Sequence, residues 1–379
     1  MQRMLLLISM LLALYVSGSA CATGEPPAIA DEKPVPNIAL LLPLKSAIFG
    51  PSAKAVQQGF LAANPGNTRL QKPNPGKQEL PEALPVRVYG CLDESKDIVA
   101  LYRLAIANGA RAVVGPLTRS GVNALAAEQD IPVPTLTLNI SEDAPAGQLY
   151  FFGMAAEAEA RQAAQLAMAQ NLHQAIVIST RAQLDKRLQS AFEDEWLGLG
   201  GTILREIEFR GDPAAFADIT EIPDTVVFLA DDAEKARLIR PYLPSKLPIY
   251  ATSQVFIGND DTLTNYDLNG IRFVDMPWLL QADHPAVMAY PRASPSLPAD
   301  LERLYALGID AFRLIQLLLA GNADASLPLD GVSGDIELNG HIFQRTAIPA
   351  VFVQGQAQLS EAPAAPPMQV LSDRAAAKP

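Results

Sequence analysis

The chain has 379 residues, 49% of them apolar, with 29 basic and 41 acidic side chains and a formal charge of −12. That acidity argues against nucleic acid or an anionic membrane surface as a partner, because both call for basic patches. The length and apolar content suit two lobes rather than one core, and two cysteines offer no disulfide framework.

Residues 1–20 read as a secretory signal peptide. Arg3 is its only charge, Met4–Val16 is an apolar run too short to span a bilayer, and small residues follow. In "GSAC", Ser19 and Ala20 precede Cys21 in a pattern similar to the lipobox of bacterial lipoproteins, with Gly18 where Leu is usual. Lipidation of Cys21 is the expectation, and ordinary cleavage at a small-x-small site is the alternative. An acylated Cys21 would hold the chain on a membrane, and Ala22 after it resembles the signal for the outer membrane. Cys91, in "VRVYGCLDE", would then be unpaired, a small residue packed under a loop. A reactive thiol needs a positive helix end or a histidine nearby, and neither is close in sequence.

Residues 21–36 form a polar, Pro-rich tether. Strands are expected at 37–42, 85–89, 112–114 and 133–138, with helices at 52–63, 94–108 and 119–128 between them, which is the βαβ pattern of a parallel sheet. Pro134 points the fourth strand to a sheet edge or an irregular start. "NPGNTRLQKPNPGKQELPEALP" interrupts the first unit as a surface insertion. A second set begins after Tyr150. It holds an Ala-rich helix, a strand at 175–179, a helix at 183–199, strands at 202–209 and 225–230, a helix at 232–240, and strands at 247–251 and 271–275. A helix at 301–320 carries a plain apolar stripe. "GDIELNGHIFQRTAIPAVFVQGQ" then reads as a β-hairpin with Asn339-Gly340 as a type I′ turn, and residues 357–379 as a disordered tail.

Catalysis finds little support. His173, His284 and His341 lie far apart, and HExxH, paired CxxC, GxSxG and Walker A sequences are absent. "GLGG" at Gly198–Gly201 ends a helix and opens a strand, the reverse of a phosphate-cradling order, and is better read as a helix C-cap. The carboxylate pairs Asp231-Asp232 and Asp260-Asp261 suit helix or turn caps. No cofactor or metal is expected. A pocket remains open, because ligands of doubly wound sheets bind outside the carboxyl ends of strands. The loops at 45–52, 115–121 and 137–141 lie there. Thr118 either caps a helix or meets a ligand carboxylate, and Asn139 is either a turn residue or a ligand contact.

Several segments, in order, carry a family resemblance: "IALLLPL", "AVQQGFLAA", "VRVYG", "GARAVVGPLTRSGVNALA", "IPVPTLTLN" and "YFFGMAAEAEARQAA". They resemble the type I periplasmic-binding-protein fold, and more specifically the penicillin-binding protein activators, the LpoA/LppC family of outer-membrane lipoproteins. "IRFVDMPWLL", "RLYALGIDAFRLI" and "LDGVSGDIELNGHIFQR" are similar to the same family's C-terminal domain. The resemblance implies an α/β fold of two Rossmann-like lobes with doubly wound parallel sheets, joined by three crossovers. One lobe would take 37–142 plus about 283–327, the other 143–282 plus about 328–356, hairpin included. It also implies a non-enzymatic role, binding and stimulating a bifunctional peptidoglycan synthase from the periplasmic face of the outer membrane. The best-known members carry a large helical domain ahead of this fold, whereas here residues 22–36 reach at most ~50 Å when fully extended. Amino-acid-binding relatives of the fold grip a zwitterion from equivalent loops, so the resemblance marks Ser46, Thr118, Thr137, Asn139, Tyr150 and Asp231 as candidate cleft residues. The alternative function is therefore a solute-binding protein or sensor for an amino acid or cell-wall fragment.

Overall fold

Apolar runs that feed two cores at once set up the architecture. In β1 (Asn37–Leu42), Ile38, Leu40 and Leu42 enter one core while Ala39 and Leu41 enter another. A strand covered on both faces reads as a run without polar gaps. After β1 come α1 (Gly50–Ala63), β2 (Val86–Gly90), α2 (Glu94–Ala107), β3 (Ala110–Val114), α3 (Arg119–Ala126), β4 (Thr135–Thr137) and β5 (Leu149–Phe152). Next are α4 (Ala156–Met168), β6 (Gln174–Ser179), α5 (Gln183–Gly198), β7 (Thr202–Glu208), β8 (Thr225–Ala230), α6 (Ala233–Ile239), β9 (Ile249–Ala251), α7 (Thr262–Asn265) and β10 (Ile271–Asp275). The last group is α8 (Pro277–Leu280), α9 (Pro285–Met288), α10 (Ala299–Ala320), β11 (Leu329–Asp330), β12 (Asp335–Asn339), β13 (Ile342–Thr346), β14 (Ile348–Val353) and β15 (Gln356–Leu359). The computed structural model describes residues 34–64, 84–141, 147–321 and 326–360. The expected signal peptide, Cys21, the tether up to residue 33, positions 65–83 of the insertion and the tail beyond 360 lie outside the described residues.

Two sheets result. The first runs β11-β12-β13-β5-β4-β3-β1-β2, parallel from β13 to β2 and antiparallel at β11 and β12. Helices α1 and α10 cover one face, α2 and α3 the other. The second runs β15-β14-β10-β9-β8-β6-β7, parallel from β10 to β7 and antiparallel at β14 and β15. There α4 and α5 form one layer and α6 belongs to the opposite core. The chain passes between the sheets three times: after β5, after β10 and at Ala347. Helix α10 follows the second passage and packs on the first sheet, where Gly59 of α1 and Gly308 of α10 let the two backbones touch.

Four expectations need correction. β5 and the hairpin join the first sheet, and only β14 and β15 join the second. Ile336 and Phe343 enter the first core, and His341 supplies the carbonyl that accepts from the Phe151 N–H, so the hairpin covers what would otherwise be a bare edge of β5. The hairpin turn centres on Gly340-His341, between paired Asn339 and Ile342, and Gly340 has a φ of 61°. Glycine at the first central position is the type II′ pattern, not type I′. β4 is a central strand and not an edge, while Pro134 sits just before it, in keeping with the other alternative of an irregular start. Finally, residues 357–359 are not tail but belong to strand β15, which pairs with β14.

Candidate functional site

The expected mouth loops are present at the carboxyl end of the first sheet, but most of their polar groups bond within the fold. The Ser46 hydroxyl accepts from the Phe49 N–H at 3.2 Å. Thr118 caps α3, its hydroxyl accepting from the Gly121 N–H at 3.2 Å, while its own N–H donates to Glu94 at 2.6 Å. Glu94 is buried, also accepts from Leu117 N–H, and burial raises its pKa against those hydrogen bonds. Ser46 and Thr118 thus share the wall of one open cavity of about 490 Å³, whose charged lining includes Asp93, Glu94 and Asp97 against Lys96.

The other four candidates do not converge there. The buried Thr137 hydroxyl donates to the Asn139 carbonyl at 2.7 Å. The Asn139 amide donates to the Leu117 carbonyl and its oxygen accepts from Ile140 N–H, which ties two loops together. Tyr150 stacks on His341 with ring centroids 5.0 Å apart and packs against the first core. Asp231, at the end of β8, is 0% exposed, and among the described residues no hydrogen-bond donor reaches either carboxyl oxygen. Burial, and then the neighbouring Asp185, push its pKa up to about 9. Asp185 is itself held by the Thr180 hydroxyl.

Between pH ~4 and ~9 the folded chain therefore keeps a proton on Asp231 that the unfolded chain has released, and stability falls as pH rises through that window. Asp231→Asn should add about 2 kcal/mol or more at pH 7.5 and flatten that decline. Urea unfolding at pH 5 and pH 8 measures this, and parallel profiles for variant and wild type would refute it. Cys91 behaves as expected of a packed thiol. It is buried, its Sγ faces the Leu42 carbonyl at 3.7 Å, and burial followed by Glu94 and Asp97 pushes its pKa up to about 11. At pH 8 about one thiol in a thousand is ionised, so native protein should resist iodoacetamide and denatured protein should react at once.

Sequence reasoning missed two features. The first is a pair of buried ion bridges between the layers. Arg303 of α10 donates to both carboxyl oxygens of Asp275 at the end of β10, at 3.0 and 2.7 Å, and to the Ser253 and Phe256 carbonyls. Arg345 of β13 donates to Glu159 of α4 at 2.7 Å, and Glu159 also accepts from Ser253 N–H. The second is a groove between the start of α3 and the helices α4 and α5. Its main cavity is about 680 Å³ and its walls carry Arg119, Arg161, Lys186 and Arg187 against Glu157 and Asp194. One signal was legible: Arg119 opens α3, where the helix dipole disfavours a cation. Among the described residues no group of three or more His, Cys, Asp or Glu could hold a metal ion, and no helix is long and apolar enough to cross a membrane.

Comparison with known proteins agrees with this architecture. A family model described as "LppC putative lipoprotein" matches residues 29–222 and 218–345. The penicillin-binding protein activator LpoA of Pantoea ananatis is 27% identical over 345 residues, covering 77% of this chain and 50% of that protein, so the chain spans about half the length of the curated relative it matches. A solved structure from Chromobacterium violaceum, described as a putative branched-chain amino acid ABC transporter, is 33% identical with a TM-score of 0.68, covering 84% of this chain and all of the other. The LpoA C-domain of Haemophilus influenzae, described as a regulator of PBP1A, matches in fold with a TM-score of 0.68 at 24% identity, covering 86% of this chain and 100% of that one.

Proposed function

The chain belongs to the LppC lipoprotein family, and from that premise we propose that it is a lipid-anchored regulator at the periplasmic face of the outer membrane. It binds a bifunctional peptidoglycan synthase of the penicillin-binding type and stimulates it by contact, with no catalytic step or cofactor of its own. The activator names of its relatives support the partner. The observation that carries the mode of action is the buried ionic tie between the layers. A solute-binding protein works by swinging its lobes about a hinge. Here Arg303, with 4% exposure, spans α10, β10 and the 253–256 segment, close to the second passage of the chain. Swinging the layers would pull its acceptors away where water cannot replace them, and an unpaired buried charge costs several kcal/mol. Such a fold presents a constant surface, as a docking module requires.

The test is binding of the purified lipoprotein to the synthase of the same organism, with glycan polymerisation and cross-linking followed in parallel. Saturable binding and faster synthesis are expected, and Thr118→Ala should leave both unchanged. A clean absence of binding between two folded partners would overturn the reading.

A further inference from the structure

The groove beside α4 has a charge opposite to that of the chain around it. On a protein of net charge −12 its main cavity carries four cations against two carboxylates. Glu157 serves two of the four, Arg187 at 2.8 Å and Arg119 at 3.4 Å. Among the described residues neither of the other two is bonded to a carboxylate, although Lys186 lies near enough to Glu193 for their charges to interact. Lys186 Nζ donates only to neutral groups, the Ser179 hydroxyl at 3.1 Å and the Gln189 carbonyl at 3.0 Å. Arg161 is exposed, and among the described residues its guanidinium has no hydrogen-bond or ion-pair partner. Such cations are left for an anion that comes from outside.

The shape extends the charge. A second cavity of about 380 Å³ continues from the first, sharing Ile140, Ala155 and Arg161, and reaches Arg345 on β13. Together they exceed what a single carboxylate or phosphate would fill and lie at the upper end of ligand-pocket sizes. Along this length the carboxamides of Asn123 and Gln183 supply both donors and acceptors, which is what a peptide backbone needs, while Gln162 is bonded at both ends to the Ala347 backbone and Gln165 donates to Glu195. Ile140 and Ala155 give it apolar contact.

We propose that this groove seats an extended acidic segment of a partner protein, with two of its carboxylates held by Arg161 and Lys186. The identification of that partner as the synthase rests on the function proposed above; the groove and its chemistry do not.

A fluorescein-labelled peptide of alternating Glu and Ala is the probe, with the Gln–Ala peptide as control, and anisotropy is read on the full chain. The Glu peptide should bind saturably, weaken with added salt, and lose about tenfold or more in affinity in the Gln version and with Arg161→Glu or Lys186→Glu. Lys246→Glu, whose side chain lies outside the groove and pairs weakly with Glu221, should leave binding unchanged. Circular dichroism confirms that the variants fold, and Arg161 has no partner to lose among the described residues. Equal binding by wild type and Arg161→Glu, no binding at all, or full displacement by free glutamate at matched carboxylate concentration overturns the proposal. Synthase binding on the same preparations separates the two readings. A synthase that binds while the peptide ignores the groove removes the groove and leaves the activator; a captured Glu peptide without synthase binding does the reverse.

Discussion

Replacing Gly308 by alanine should cost about 3 kcal/mol or more and lower the urea midpoint by far more than a surface substitution does. A Cβ on Gly308 would stand 2.8 Å from the Phe60 backbone nitrogen and closer still to the Val56 carbonyl oxygen. Across the same contact, a Cβ on Gly59 would stand 2.7 Å from the Tyr305 carbonyl carbon. These obstacles are backbone, so no side chain can swing aside to make room. The helices would have to separate, and with them the edge-to-face pair Phe60–Phe312, whose centroids lie 5.2 Å apart in the first core. Overpacking usually costs about 1–3 kcal/mol, and the upper end applies where neither side can yield. Gly198→Ala is the matched control. Gly198 closes α5 with nothing within 4 Å of its would-be Cβ, so alanine there should be neutral or add up to about 1 kcal/mol. If both variants unfold at the wild-type midpoint, the close helix crossing is wrong.

Arg303→Met should destabilise by about 3–5 kcal/mol, because it strands the Asp275 carboxyl at 0% exposure without its partner. The loss has a pH signature. Burial already pushes Asp275 upward while Arg303 pulls it back. Without the arginine, the folded state holds Asp275 as the neutral acid while the unfolded chain ionises it near pH 4. The folded state then binds the extra proton, so the variant's stability falls as pH rises above that point. The deficit should therefore be smaller at pH 5 than at pH 8. The double variant Arg303→Met/Asp275→Leu should recover much of the loss, since a packed apolar pair often replaces a buried ion pair without penalty. A pH-independent deficit, or a double variant no better than the single, would show that the arginine acts through its carbonyl contacts instead. If the tie also holds the layers, synthase stimulation should fall in Arg303→Met more than the loss of folded protein explains.

The elements of this protein were legible in its sequence because they are set by local pattern. The apolar run 37–42, the capping Thr118 and Asp232, and the apolar stripe of α10 each depend on neighbours a few residues away. The two-lobed α/β class followed from their alternation and from resemblance. Which sheet received each late strand did not. Residues 335–346 alternate as any hairpin does, and only the bare edge of β5 chose the first sheet for them. The six candidate cleft residues were marked by resemblance to amino-acid-binding relatives of the fold. Tertiary packing then decided their partners, leaving Ser46 and Thr118 on one wall and burying Thr137 and Asp231.

Arg303 and Arg161 mark the limit most clearly. In sequence each is one basic residue in a helix. One is clamped between the layers, and the other faces a groove with no partner among the described residues. Charge and spacing alone determined that both would be cations on helices. What each cation meets is set by residues dozens of positions away, and only the folded chain brings them together.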